Sequence, residues 1–132
     1  MTDKTLAVVL LAHGARDPRW GEPFLRVAEQ VRADAPALTV EIAYLEHLAP
    51  SLHEAVRGLA RSGVRTIRVV PLFFGRGGHL REDVPRLAAT IAAELPEVAI
   101  EVTLPAGDDA AVQRCLASYC VRAARGGEAT KA

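Results

Sequence analysis

Residues 5–18 read TLAVVLLAHGARDP. Val, Leu and Ala fill the run from Leu6 to Ala12 without a polar interruption, and a turn with glycine and charge follows at once. A strand exposed on one face alternates apolar with polar residues, so an unbroken run of this length belongs to a strand covered on both faces. Such strands occur in parallel sheets with helices packed on them, and each parallel neighbour is reached through a crossover, usually helical.

Working outward, three further β-rich runs follow at 38–45, 64–73 and 98–104, and each is separated from the next by a segment of helical period. Phe24, Val27, Ala28 and Val31 give the first helix an apolar stripe, and Leu52, Ala55, Val56 and Leu59 do the same for the second. Ser51 and Glu54 form an S-x-x-E capping box at the start of that second helix. The third stripe is Val84, Leu87, Ala88, Ile91 and Leu95, with Pro85 expected in the first turn and Asp83 as its N-cap. A fourth helix carries Val112, Cys115, Leu116, Tyr119, Cys120 and Ala123 on one side. The two cysteines, five residues apart on a helix, are poorly placed to bridge and are expected to pack in the core.

The βαβαβαβα pattern predicts a three-layer αβα domain around a four-stranded parallel sheet. Right-handed crossovers give it a flavodoxin-like strand order 2-1-3-4. With 132 residues, half of them apolar, the chain has material for one core. Residues 1–125 are expected to form that single domain, and 126–132 a disordered tail.

Formal net charge is zero, which removes the electrostatic footprint of a nucleic-acid or anionic-membrane binder. No apolar run approaches the roughly 20 residues of a transmembrane helix, and the N-terminal run reads as a first strand and not a signal peptide. A cytoplasmic protein acting on a small molecule is the expectation.

Ligands of open parallel sheets bind beyond the carboxyl ends of the strands, near the point where strand order reverses. Three such ends carry chemistry here. Strand one ends in Ala12-His13-Gly14, strand two in Leu45-Glu46-His47, and strand three runs through Phe73 and Phe74 into Gly75-Arg76-Gly77-Gly78-His79. Adjacent parallel strands lie about 4.8 Å apart, and imidazole nitrogen binds a zinc-like ion at about 2.0–2.1 Å. His13 and His79 are therefore candidates to share one cation, with Glu46 arriving from the other side of strand one. An open N,N,O site of this kind suits Fe, Co, Ni or Zn without selecting among them. A lone histidine at a strand end is more often a turn residue bonded to backbone than a ligand, and spacing alone leaves both readings open.

Gly75-Arg76-Gly77-Gly78 has the composition of a backbone nest for an anion, and also of an unoccupied glycine turn. Arg16, Arg19, Arg76 and Arg81 make the rim locally basic, which suits a substrate with several carboxylates and fits an ordinary solvated surface as well. His53 lies within the second helix and is expected on the surface.

AHGARDPRWGEPF at 12–24, AYLEHLAPSLHEAV at 43–56 and VVPLFFGRGGHLREDVPRL at 69–87 together resemble the short CbiX-type sirohydrochlorin chelatases, relatives of the class II chelatases that insert metal into a tetrapyrrole without ATP. The resemblance implies that His13 and His79 bind the metal, that His13 also accepts a proton, and that Glu46 assists. It further implies that Phe74, Gly75, Arg76, Gly77 and Gly78, with Ala49 and Arg16, line the macrocycle. Co2+, Fe2+ or Ni2+ is then a substrate, and no nucleotide is needed, in keeping with the absence of a GxxxxGK[ST] loop. Class II chelatases commonly hold two such domains in one chain, so a homodimer is expected here. Ala15 stands where many relatives have serine, and 103–107 matches the pattern loosely.

Two other readings use the same residues differently. A mannose-type phosphocarrier domain would be phosphorylated on His13, and a non-catalytic tetrapyrrole or metal carrier would bind without turnover. A histidine phosphatase is disfavoured because alanine, not arginine, precedes His13-Gly14.

Overall fold

The computed structural model of the chain describes residues 5–74, 80–127 and 129–131. Four parallel strands form one sheet: β1 (Leu6–Ala12), β2 (Thr39–Tyr44), β3 (Thr66–Pro71) and β4 (Ala99–Val102). Their order is β2-β1-β3-β4, with Leu10 opposite Ile42 on one side and Val70 on the other. The chain reverses direction across the sheet between β1 and β3, as the crossover rule predicts.

The helices are α1 (Glu22–Asp34), α2 (Leu52–Arg61), α3 (Leu80–Glu94) and α4 (Ala110–Ala124). Alternation along the strands divides the core in two. Ala7, Val9, Leu11, Ile67 and Val69 face α2 and α3, where Leu52, Ala55, Val56, Leu59, Val84 and Ile91 are buried against them. Leu10, Ala12, Val40, Ile42 and Tyr44 face α1 and enclose Ala28. α2 begins where the capping box places it, and the Ser51 side chain accepts a hydrogen bond from the Glu54 amide at 3.1 Å.

Pro71 sits in β3, a strand with neighbours on both sides, where proline ordinarily deletes a ladder bond. Successive amides of a parallel strand alternate between neighbours, and Leu72 donates to Leu11 of β1, so Pro71 faces the β4 side. The last ladder bond on that side runs from the Thr103 amide to the Val69 carbonyl at 2.9 Å, and pairing stops there because Pro71 has no amide to donate the next one.

Two expectations are corrected. α3 starts at Leu80, so Pro85 lies inside the helix and Asp83 is a first-turn residue and not the N-cap. Glu82 and Asp83 favour the extra turn by placing negative charge at the helix N-terminus. Cys115 and Cys120 are exposed free thiols and not core residues, because α4 carries an apolar stripe but buries none of its side chains.

Candidate functional site

At the carboxyl edge of the sheet, the loops after β1 and β2 clasp each other through backbone. The His13 carbonyl accepts from the amides of Leu45 at 3.1 Å and Glu46 at 3.0 Å, and Leu45 also donates to Ala12 at 3.0 Å. Gly14 follows at φ 98°, a conformation that L side chains rarely adopt, and a Cβ there would collide with the Glu46 carbonyl oxygen. The glycine after His13 is thus required twice, by its torsion and by the backbone it touches. His13 leaves this clasp half-buried, with its ring centroid 5.1 Å from that of Phe73. Phe73 itself is buried in the core, so the imidazole rests on a fixed wall.

Phe73 and Phe74 form the tip beyond β3. Phe74 is 70% exposed, an unusual position for a phenyl ring. Gly107 braces this tip from the far side. Its amide donates to the Phe73 carbonyl at 2.9 Å, and a Cβ would stand 2.8 Å from both that oxygen and the Phe74 Cα. Sequence reasoning did not single out Gly107; the only signal was a Pro-x-Gly turn just past the fourth strand.

The Glu46 carboxylate is exposed, 3.9 Å from the ring of His47. His47 takes φ 64°, which turns the chain back sharply after Glu46. Ala49 and Arg16 are likewise exposed along this edge. Arg19 is not spare charge for the rim. Its guanidinium is held by the Asp17 carboxylate at 2.8–3.2 Å, which lowers the Asp17 pKa and raises that of Arg19. His53 is also engaged elsewhere, 2.7 Å from Glu94 and 3.0 Å from Arg57.

The structure therefore brings the β1 and β2 candidates together at backbone level and sets the Phe73 ring against His13, with Phe74 next along the chain against Gly107. Gly75, Arg76, Gly77, Gly78 and His79 lie outside the described residues. Among the described residues, no three His, Cys, Asp or Glu side chains gather closely enough to hold a metal ion. His13 and Glu46 are the described members of the expected N,N,O set.

An imidazole at the carboxyl edge of a parallel sheet, beside the switch in strand order, stands where proteins of the open α/β class bind their ligands. Residues 7–123 match the CbiX family model, and the chain belongs to the CbiX family. Over 82 residues it is 39% identical to the sirohydrochlorin cobaltochelatases of Methanopyrus kandleri and Saccharolobus solfataricus. That segment is 62% of this chain and spans 57% and 62% of those relatives' lengths. The crystal structure of a cobalamin-biosynthesis CbiX protein from Marinobacter aquaeolei superimposes with a TM-score of 0.82 at 33% identity, covering 91% of this chain and 98% of that one. The sirohydrochlorin chelatase SirB from Bacillus subtilis, solved with cobalt, shares the fold at a TM-score of 0.77 and 24% identity; 89% of this chain covers 50% of it.

Proposed function

We propose that the protein inserts a divalent metal, Co2+, Fe2+ or Ni2+, into sirohydrochlorin or a closely related acidic tetrapyrrole, without a nucleotide and in the cytoplasm. The observation that carries this reading is His13 at the sheet edge, its carbonyl clasped by the amides of the β2 loop and its imidazole backed by Phe73. The names of the two cobaltochelatase relatives support it.

Metal insertion removes two pyrrole N–H protons as the ion enters the ring, so the site needs a ligand that loosens the ion's water shell and a base that takes protons. Imidazole serves for both. His13, with His79 from the loop after β3, holds the incoming ion on one face of the macrocycle. His13 then accepts a pyrrole proton as the ion leaves it for the ring nitrogens. The exposed Glu46 carboxylate, beside His47, offsets the ion's charge and accepts the second pyrrole proton, and both protons then pass to water. Phe74 presents its open face to the macrocycle, while Ala49, Arg16 and the 75–78 segment complete the lining, with Arg16 and Arg76 meeting substrate carboxylates.

With the family shown, the phosphocarrier reading has no observation in its favour. The test is to follow loss of the free sirohydrochlorin spectrum with each of the three metals. The wild-type protein accelerates insertion, and His13→Ala lowers the rate by about 100-fold or more. Binding of the macrocycle without turnover identifies a carrier, and full activity of His13→Ala overturns the assignment.

A further inference from the structure

The turn after β4 is tied to the β3 tip through the amide of one residue and to α4 through the carbonyl of the same residue. Pro105 to Asp109 close this turn, in which the Asp108 amide donates to the Pro105 carbonyl at 2.9 Å and the Asp109 amide to the Ala106 carbonyl at 3.1 Å. At its centre lies the buried Gly107, whose amide donates to the Phe73 carbonyl and whose surroundings leave no room for a Cβ. The Gly107 carbonyl is met by the Gln113 side chain, with Nε2 at 2.9 Å. A carbonyl only accepts, so the carboxamide presents its NH2 group here.

Gln113 reaches Gly107 from a fixed base. Asp109 caps α4 by accepting from the amides of Ala111 and Val112 at 3.0 and 3.1 Å, and the Gln113 amide donates to the Asp109 carbonyl at 3.0 Å. The first turn of α4 is thereby anchored, and the Gln113 side chain extends from it back to the turn. From there the hydrogen bonds run through Gly107 to Phe73, whose ring centroid lies 5.1 Å from that of His13. His79 follows Phe73 by six residues along the same chain. The carboxamide thus acts on the backbone from which one wall of the site and its second histidine arise.

We infer that Gln113 is a positioning residue for the metal site: its hydrogen bond to Gly107 holds the β3 tip, and with it Phe73 against His13, in the arrangement that receives the ion. The inference rests on the proposed chelation for its consequence and on this hydrogen bond for its geometry. Without the donor, the Gly107 carbonyl turns to water, the turn gains freedom, and the incoming ion must order the tip itself. The net worth of a neutral hydrogen bond corresponds to about fivefold in an equilibrium constant, which sets the scale of the expected effect.

Gln113→Met, Gln113→Glu and Gln113→Lys test it, since all three residues favour helix as glutamine does and only lysine keeps a donor. Co2+ affinity is read by isothermal titration calorimetry, and the His13 environment by its ring proton resonances, which the neighbouring Phe73 ring shifts. Met and Glu raise the Co2+ Kd about fivefold and move the His13 resonances, and Lys restores both. A bulk charge effect gives the reverse order, with Glu tightening Co2+ binding and Lys weakening it, and that order overturns the inference. Gln30→Met, which removes an exposed carboxamide bond to Asp34 at 2.9 Å on α1, changes neither readout. A lower Tm for Gln113→Met with unchanged Kd and His13 resonances shows a structural role alone and overturns the inference, as does a Lys variant no better than Met. Failure of the wild type to insert metal refutes the proposed function instead, and the His13 resonances then decide this inference by themselves.

Discussion

Replacing Gly14 with alanine tests whether the β1–β2 clasp holds His13 in place. Two penalties apply. At φ 98° a residue with a Cβ is strained by about 1–2 kcal/mol. The new methyl also overlaps the Glu46 carbonyl, so the β2 loop must retreat and stretch the two amide bonds to the His13 carbonyl, at 3.0 and 3.1 Å, each contributing about 1 kcal/mol. The expected loss is about 3 kcal/mol. With an unfolding entropy of about 2.1 cal/mol/K per residue, the 132-residue chain loses about 10 °C in Tm. Gly63 supplies the control, because it has φ 97° with open space around its Cβ position. Gly63→Ala bears the torsional penalty alone and loses about 4–7 °C. Differential scanning calorimetry of the two variants separates strain from collision, and the chelation assay shows a further loss for Gly14→Ala as His13 moves. Equal Tm values for the two variants would refute the clasp.

Gly107→Ala places a methyl against the backbone of Phe73 and Phe74, where no flexible side chain can yield. A loss of about 2 kcal/mol in urea denaturation is expected, together with weaker macrocycle binding, and an unchanged midpoint contradicts the bracing role. Burial raises the Tyr44 phenol above its ordinary value of 10.0. A group raised on folding contributes stability that is complete below the unfolded value and is lost as pH rises through the folded one. Alkaline unfolding of Tyr44→Phe, followed by circular dichroism, therefore begins at higher pH than in the wild type; coincident curves exclude Tyr44 as a contributor.

β1 is legible because burial on both faces forces a continuous Val, Leu and Ala run, whereas β2 and β3 carry exposed Glu41 and Arg68 and β4 buries no residue, so these are legible from β-branched content and the alternation with helices. The α2 start was legible because Ser51 and Glu54 act locally. What sequence could not supply is set by distant partners. Gly14 is explained by the Glu46 carbonyl, and Gly107 by the backbone of Phe73 and Phe74, contacts that local sequence does not announce. The cysteine stripe of α4 shows the limit differently. Helical period identifies which side of a helix is apolar, but not which body covers it, so the pattern points Cys115 and Cys120 to a core that α4 does not join. Likewise Pro85 marked the neighbourhood of a helix start and not its position, since two acidic residues upstream extend α3.

The most direct measurement is of the histidines themselves. The chain has four, His13, His47, His53 and His79, and their ring 15N resonances can be followed as Co2+ is added. The account predicts that the resonances of His13 and His79 broaden together at the lowest metal concentration, while His53, held by Glu94 and Arg57, stays in place. A first effect at His47 or His53, with His13 unperturbed, contradicts it.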